Sequence, residues 1–432
     1  MKHVLAFLLV LSLALGIPAL AETIEVTCPD CGQTMTGDAN YRYCPYCAAS
    51  LAGPTPAPVE VHEGEAYIFR NAGIESAVRK ILDKPEGPLY ADELAEITNL
   101  VIDDSAIESD ISDLAALPNL EGLTLGYTKN VSDISVLSGL RRLKNLSLYG
   151  NMISDISALA ELSELEELFM DDNLVSDLSP LAGLTKMRRL SLYNNRITDI
   201  SALSHLTLLE ELSFNANGVT DITALSEMKQ LRELDLYENK VTDLSPLARL
   251  TSLTKLDIDG NSFRDCSPLF GLVNLEKLSM ADVPVENLNG LENLKSLVKL
   301  SISLSPDAND ISPLGALVQL QELWISGDGL RDISCLSGLT NLVSLHLHCE
   351  KLSDITPLAG LSKLSELLLW AHVRDISPLA SLTQLVKLNL YDNDISDIST
   401  LAGLPNLREV DLVGNPISDY SPVDHVAQVE RD

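Results

Sequence analysis

Aromatic side chains are scarce in this chain of 432 residues, in which Phe, Trp and Tyr together make up 4%. Its core must therefore be built from Leu and Ile layers rather than from a few large aromatic anchors. Basic side chains are also few, since 30 Lys and Arg face 62 Asp and Glu and give a formal net charge of -32. That charge opposes binding to nucleic acid and to anionic membrane surfaces. A high net charge also keeps a protein soluble, and it is compatible with a cationic partner.

No apolar run long enough to span a membrane occurs beyond the first residues. Residues 1–21 have the pattern of a secretory signal peptide, with an apolar stretch at 4–17 and the small residues Ala19 and Ala21 at the cleavage site. The stretch is shorter than the roughly 20 residues of a membrane span, which favours cleavage over the alternative of an uncleaved anchor. We expect a secreted, extracellular protein that inserts into no membrane after cleavage, with association to a cell surface left open.

Four cysteines form two Cys-x-x-Cys pairs in the segment 22–50, Cys28 with Cys31 and Cys44 with Cys47. Two such turns can supply four thiolates to a tetrahedral zinc ion, and the segment has too few apolar residues to fold around a core of its own. It resembles a zinc ribbon, so a structural zinc ion is the expected cofactor. Two disulfides are the alternative, because oxidising surroundings favour them.

From Ile97 to Leu407 the chain repeats an apolar anchor about every 22 residues, which gives 15 coils. In one unit Leu190 and Leu192 alternate, as a short strand with one buried face requires. Asn195 then falls where the chain must turn, and its amide can satisfy backbone groups inside the bend. The same Asn recurs and predicts a ladder made of Asn151, Asn173, Asn195, Asn217, Asn239, Asn261, Asn393 and Asn415.

After each turn comes Asp-Ile-Ser-Pro-Leu or a close variant, as at residues 243–247. Ser or Thr followed by Pro indicates a helix start in which the hydroxyl caps free N–H groups, so a short helical or 3₁₀ segment should return the chain to the next strand. The column of Asp residues from Asp133 to Asp419 is expected to bind turn N–H groups. Calcium is the alternative, but the carboxylates lie one per coil rather than clustered.

The array needs covers at its ends, because each coil buries its apolar face only against its neighbours. Residues 62–96 are predicted to be a helical N-terminal cap, since Ile74 and Val78 keep helical spacing. Residues 97–432 hold the repeats and the C-terminal tail, where only Val423 and Val426 can serve as a cover. The Pro-rich stretch at 51–61 reads as a linker between ribbon and cap.

Over residues 67–423 the unit Asn-x-Ile-x-Asp-Ile-x-Pro-Leu is similar to the repeats of the bacterial internalin-like leucine-rich-repeat proteins. The resemblance implies an α/β solenoid, a right-handed superhelix with a parallel concave sheet and short helical or 3₁₀ returns. It also implies protein binding, since repeats of this family bind proteins.

Enzymatic activity is not expected. Cys266, Cys335 and Cys349 lie at or beside repeat positions and are predicted to be buried or half-buried thiols rather than nucleophiles. Carboxylates are plentiful, yet nothing in the sequence marks one as having the raised pKa of a general acid. A hydrolase that uses carboxylates of the concave face is the remaining enzymatic alternative.

Side chains between and beside the two leucines of each strand are expected on the concave, solvent-facing side. Those positions include both tryptophans and four of the 11 tyrosines, in two patches, and their members are Tyr149, Phe169, Tyr193, Tyr237, Trp324, His346, His348, Trp370 and Tyr391. The second patch, from Trp324 onward, coincides with coils in which other residues replace the ladder Asn. Strand propensity alone is the alternative explanation of the column.

The sequence thus predicts a secreted protein-binding module acting in adhesion or in host or community interaction. Exposed Trp and Tyr would supply the binding energy. Acidic neighbours would form a rim that gives specificity, and they are Glu167, Glu211, Glu233, Asp235, Asp257 and Asp259. Carbohydrate or cell-wall binding through the same aromatic rings is the alternative.

Overall fold

The computed structural model describes residues 24–27, 34–37, 64–102, 109–128 and 131–431. The chain divides after His62 into two compact units. In the first unit, β1 (Ile24–Thr27) and β2 (Thr34–Gly37) pair antiparallel. The predicted signal peptide and linker lie outside the described residues, and so do the four candidate zinc ligands Cys28, Cys31, Cys44 and Cys47.

The second unit begins with two helices, α1 (Ala72–Ile81) and α2 (Ala91–Leu94). Asn71 caps α1, because its side-chain oxygen accepts from the backbone N–H groups of the next turn. Ile74 and Val78 are fully buried against the first coil. The carboxylate of Asp113 then fixes the cap to the repeats by accepting from the Tyr67 hydroxyl at 2.9 Å and from backbone N–H groups at 2.7 Å.

The repeats form one parallel sheet of sixteen strands in chain order within the described residues. The strands are β3 (Asn99–Ile102), β4 (Gly122–Leu125), β5 (Asn145–Ser147), β6 (Glu167–Phe169), β7 (Arg189–Ser191), β8 (Glu211–Ser213), β9 (Glu233–Asp235), β10 (Lys255–Asp257), β11 (Lys277–Val285), β12 (Lys299–Leu304), β13 (Glu322–Ser326), β14 (Ser344–His348), β15 (Glu366–Trp370), β16 (Lys387–Asn389), β17 (Glu409–Asp411) and β18 (Gln428–Glu430). Short 3₁₀ turns return the chain, from Ser112–Ala116 in the first coil to Ser421–Val423 in the last. The predicted leucine-rich-repeat solenoid is confirmed.

The core is a continuous stack of the anchor residues. In the coil that contains β7, the side chains of Leu190, Leu192, Ile197, Ile200 and Leu203 are all buried. The corresponding residues of neighbouring coils lie directly above and below them, in the single cluster that fills the second unit. Because each layer contributes the same small aliphatic groups, the scarcity of aromatic residues costs the core nothing.

The predicted asparagine ladder is present and joins each coil to the one before it. The Nδ2 of Asn239 donates to the carbonyls of Phe214, Leu236 and Tyr237 at 3.0, 3.1 and 3.3 Å. Its Oδ1 accepts from the buried N–H of Val219 at 3.0 Å. The residue before the ladder Asn adopts a left-handed backbone, as Glu238 does with a φ of 51°. This conformation turns the chain sharply out of the strand.

The expectation that Ser or Thr hydroxyls cap the 3₁₀ turns is wrong. Ser245 is itself the first residue of its turn, and no side chain caps the turn from the preceding position. The carboxylate of Asp243 instead accepts from the N–H of Ser245 at 2.8 Å. A carboxylate two residues upstream reaches this N–H in an Asx-turn, which the serine's own hydroxyl cannot do. The Asp column therefore binds turn N–H groups, as predicted, from Asp133 to Asp419.

The strands lengthen where the ladder is lost. Strands β5 to β10 have three residues each, whereas β11 has nine, β12 six, and β13 to β15 five. The register shifts between Met280 and Pro284 of β11, where the longer pairing begins. Backbone bonds close two of the turns in place of Asn, from the Leu330 N–H to Gly327 and from the Leu352 N–H to Cys349. The chain stays extended for two more residues as a result.

The tail adds one strand beyond the fifteen coils that the anchors predict. Strand β18 pairs with β17, and its Val429 packs partly buried against the core. The Arg431 guanidinium lies 5.1 Å from the centre of the Tyr420 ring. Within the described ranges, none of the helices has the length and apolar character needed to cross a membrane.

Candidate functional site

All nine predicted contact residues lie on the side of the sheet that faces away from the leucine core, which we call the open face. The alternation of the strands places them there, since His346 points outward between the buried Leu345 and Leu347. Each of the nine is at least partly exposed. The structure gathers five of them into one hollow and leaves the other four apart.

The five residues of the second patch line a single open hollow of about 250 Å³. We call it the aromatic hollow, and its side chains are Trp324, His346, His348, Trp370 and Tyr391, with Leu368 and Asn389 at its edge. The imidazole of His348 is stacked on the Trp370 indole, with ring centroids 4.0 Å apart and planes 6° from parallel. Tyr391 meets Trp370 edge to face at 6.2 Å. Trp370 and Tyr391 are each 44% exposed.

The long strands explain this packing. In β14 and β15 the register pairs His348 directly with Trp370, one coil apart, and in β13 and β14 it pairs Trp324 with His346. Neighbouring strands lie about 4.8 Å apart, which is close to the stacking distance of flat rings. With a left-handed residue and a ladder Asn in these coils, the chain would leave the strand before position 348 or 370. The loss of the ladder therefore sets the rings face to face.

The two histidines do not gather metal ligands. The Nε2 of His346 lies 3.3 Å from the Ser344 hydroxyl and 4.0 Å from Glu366 Oε2. Among the described residues, no group of three His, Cys, Asp or Glu side chains is placed to hold a metal ion. Both rings thus contribute aromatic and polar surface to the aromatic hollow.

The first predicted patch is not one site. Tyr149 packs edge to face on Tyr127, with centroids 4.9 Å apart. Phe169 lies 5.7 Å below the Arg189 guanidinium, and the Tyr237 hydroxyl donates to Glu238 at 2.7 Å. Sequence reasoning missed Tyr127, which is 60% exposed. It follows Leu125 by two positions rather than one, with a left-handed φ of 50°, so the Leu-x-Leu pattern alone does not place it on the open face.

The three glutamates of the predicted acidic rim form ion pairs with basic residues on neighbouring strands. Arg189 lies between Glu167 and Glu211, at 3.4 and 3.0 Å, and Lys255 lies 3.1 Å from Glu233. These residues surround a second hollow of about 370 Å³ on the open face. The rim glutamates are therefore part of an ion-pair network in these coils.

Three further rim carboxyls are partly buried in the floor of the open face. Burial raises the pKa values of Asp235 and Asp257, and it raises that of Asp259 to about 6. The sequence does not reveal this shift. Both oxygens of Asp259 are engaged within the fold, because Ser279 Oγ donates to Oδ2 at 2.7 Å and the Ala281 N–H donates to Oδ1. Asp259 thus has the features of a structural carboxyl.

The dispersed cysteines are buried or half-buried, as predicted. Burial raises the thiol pKa to about 11 at Cys266 and Cys335 and to about 12 at Cys349. A thiol with so high a pKa holds almost no nucleophilic thiolate near neutral pH. Their environment is that of small apolar core residues.

A third hollow, of about 210 Å³, adjoins the aromatic hollow towards the C-terminus. We call it the acidic hollow, and its charged side chains are Glu366, Lys387, Glu409, Asp411 and Glu430. The two hollows share Leu368 and Asn389. Sequence reasoning missed the acidic hollow because the rim was sought only in the middle coils, although these carboxylates occupy the same repeat positions.

Comparisons with known proteins agree with this architecture. The family described as Leucine Rich repeats (2 copies) matches residues 141–183, 185–227, 229–271, 318–360 and 383–425. The chain is similar to an internalin (inlF) of Listeria monocytogenes, at 29% identity and a TM-score of 0.61, over 84% of this chain and 96% of that one. Among curated proteins, no sequence is significantly similar.

Two more distant structures share the fold. A leucine-rich-repeat protein of Leptospira interrogans has 21% identity and a TM-score of 0.67, over 79% of this chain and 97% of that one. The functional domain of InlJ from Listeria monocytogenes, which includes a cysteine ladder, has 20% identity and a TM-score of 0.55 over 81% and 82%.

Proposed function

Because the chain is a leucine-rich-repeat solenoid similar to an internalin, we propose that it is a non-catalytic module that binds another protein through the aromatic hollow of its open face. The observation that carries the proposal is the packing of Trp370 between His348 and Tyr391 on an exposed sheet. Trp and Tyr dominate the energetics of protein interfaces when a partner covers them. Burial of these rings against a partner would supply the affinity, and the rigid sheet would limit its entropic cost.

A carbohydrate partner would use the same rings, so the test must separate the two ligand classes. A phage library of random twelve-residue peptides is selected on the full chain and then on the W324A/W370A variant, and both proteins are applied to a glycan array. The control variant is V273A/V318A, which removes exposed apolar side chains outside the hollow. Far-UV circular dichroism checks that all three proteins are folded.

We expect peptides that are retained by the wild type and by V273A/V318A but lost with W324A/W370A. Peptides that bind W324A/W370A equally well would refute the site. A glycan signal that depends on Trp324 and Trp370, with no site-dependent peptide, would replace the proposal by carbohydrate binding. No site-dependent ligand in either assay would refute binding at this hollow.

We also propose that the protein acts outside the cell, with residues 1–21 as its signal peptide, in adhesion or community interaction. A structural zinc ion at Cys28, Cys31, Cys44 and Cys47 is part of the same proposal. In the sequence the first Cys pair falls between Thr27, where β1 ends, and Thr34, where β2 begins, and two Cys-x-x-Cys pairs can supply the four thiolates of a structural zinc site. Elemental analysis of the purified protein and mass spectrometry of its thiols test this, and two disulfides without zinc would refute it.

A further inference from the structure

One row of outward side chains crosses the last six strands and changes character midway. The register pairs each member with the next, and the row reads Trp324, His346, Leu368, Asn389, Asp411 and Glu430. Its first half floors the aromatic hollow and its second half the acidic hollow. The open face thus presents an apolar surface that continues directly into a negatively charged one.

The acidic hollow has more negative charge than its own bases can neutralise. Lys387 is its single basic residue, 3.3 Å from Glu409. Asp411 receives neutral donors, the amide of Asn389 at 2.9 Å and the Val413 N–H at 3.1 Å. Glu366 accepts from the Ser344 hydroxyl at 3.1 Å, and Glu430 forms no ion pair within the described part of the chain. The hollow of the middle coils has two basic residues, Arg189 and Lys255, and each of its glutamates forms an ion pair with one of them.

From this juxtaposition we infer that the partner presents an extended segment with a bulky apolar side chain and, three to four residues away from it, Lys or Arg. The inference rests on the proposed function. The apolar side chain enters the aromatic hollow and the cationic one enters the acidic hollow. Asp411 lies two strand spacings from Leu368, and Glu430 lies three strand spacings from it. At about 4.8 Å for each spacing, these distances are about 10 to 14 Å. An extended peptide covers that distance in three to four residues at about 3.4 Å each.

Charge decides among the possible occupants. A second copy of this chain also carries a net charge of -32 and would be repelled by the carboxylates. A neutral glycan could stack on Trp370 and donate hydroxyl hydrogen bonds to the carboxylates beside it, but it would bring no positive charge to neutralise them. An arginine or lysine side chain supplies the missing positive charge, and a guanidinium can bind a carboxylate through two parallel hydrogen bonds.

The test uses the site-dependent peptides selected on the full chain, synthesised with a fluorescent label. Their affinity is measured for the wild type, for D411N/E430Q and for E161Q/E227Q, at 50 mM and 500 mM NaCl. Asn at position 411 keeps an oxygen to accept the Val413 N–H, which the Asp411 side chain binds at 3.1 Å, so the fold should be retained. Glu161 and Glu227 lie at the 3₁₀ turns, and their replacement removes the same charge from another face.

We expect the selected peptides to carry Lys or Arg at a distance of three to four residues from an apolar residue. D411N/E430Q should weaken binding about three- to tenfold at 50 mM NaCl, and much less at 500 mM, because salt screens exposed charges. E161Q/E227Q should bind like the wild type. Site-dependent peptides without basic residues, or equal binding by D411N/E430Q, would overturn the cationic segment and leave the proposed function intact. Absence of any site-dependent peptide would overturn both.

Discussion

Replacement of one ladder asparagine by alanine should destabilise the solenoid far more than its single side chain suggests. Asn239 is only 5% exposed, and its amide bonds three carbonyls and one buried N–H across two coils. In Asn239→Ala the Val219 N–H loses its partner in the interior, which costs about 1 to 3 kcal/mol. The carbonyls lose a shared donor at about 1 kcal/mol more. We therefore expect a loss of about 3 kcal/mol.

The matched control is Asn406→Ala, which also removes an amide that bonds a carbonyl of the preceding coil. The Nδ2 of Asn406 donates to Thr383 at 2.9 Å, but the side chain is exposed. Water replaces this bond, so the expected loss is about 0.5 kcal/mol. The comparison separates the burial of the amide from the mere presence of an inter-coil hydrogen bond.

The assay is equilibrium urea unfolding followed by far-UV circular dichroism and, in parallel, by the fluorescence of Trp324 and Trp370. Coincident transitions show that the array unfolds cooperatively, and an unchanged slope allows the midpoints to be converted to free energies. A loss below about 1 kcal/mol for Asn239→Ala, or a loss equal to that of Asn406→Ala, would refute the ladder as a main source of stability.

Two further predictions concern the carboxyl columns. The pKa of Asp259 is raised to about 6 in the folded state, so the folded protein binds this proton more tightly than the unfolded chain does. The protonated carboxyl therefore favours folding below the unfolded pKa near 3.8, and this stabilisation is lost as the pH rises through about 6. Asp259→Asn should stabilise the protein by only about 1 kcal/mol at pH 7.5, because the side chain is partly solvated, and should not stabilise it at pH 4. Urea unfolding at both pH values measures this difference. Equal effects at the two pH values would contradict the assigned pKa. At the 3₁₀ turns, Asp243→Ala should lower the unfolding free energy by about 1 kcal/mol, because it removes the acceptor for the Ser245 N–H. Ser245→Ala should lower the unfolding free energy by about half as much or less. The reverse order in thermal melts would restore the serine as the cap.

The fold could be predicted because its determinants repeat in the sequence. A Leu such as Leu190 and an Asn such as Asn195 recur at one spacing, and each occurrence has the same physical reason, burial in the first case and turn formation in the second. The capping group of the 3₁₀ turns could not be assigned in this way. Asp243 and Ser245 recur together, and only the backbone geometry shows which of them accepts the N–H.

The candidate site could be predicted only as a column of positions. Alternation along the strands placed Trp324, His346 and Trp370 on the open face without any structure. It could not place His348 against Trp370, since that contact depends on strand length, which the Leu-x-Leu pattern does not encode. Tyr149 and Phe169 fill no common hollow, because they occupy different columns: the register pairs Phe169 with Ser147 rather than with Tyr149.

Stability and recognition therefore compete for the same residues of each coil. A ladder Asn follows a left-handed residue, as Asn239 follows Glu238, and the regular strand of that coil has only three residues and ends at Asp235. Where the chain keeps an extended backbone instead, as at His348, the coil gives up the four side-chain bonds of an Asn and closes with one backbone bond from Leu352.

The intact ladder resumes at Asn393, directly beyond Trp370. Flanking coils that carry the ladder can hold a few unladdered coils in place, because each coil is stabilised by its neighbours. The flat aromatic surface is thus located where the array can tolerate the loss of the ladder, between two laddered segments rather than at an end.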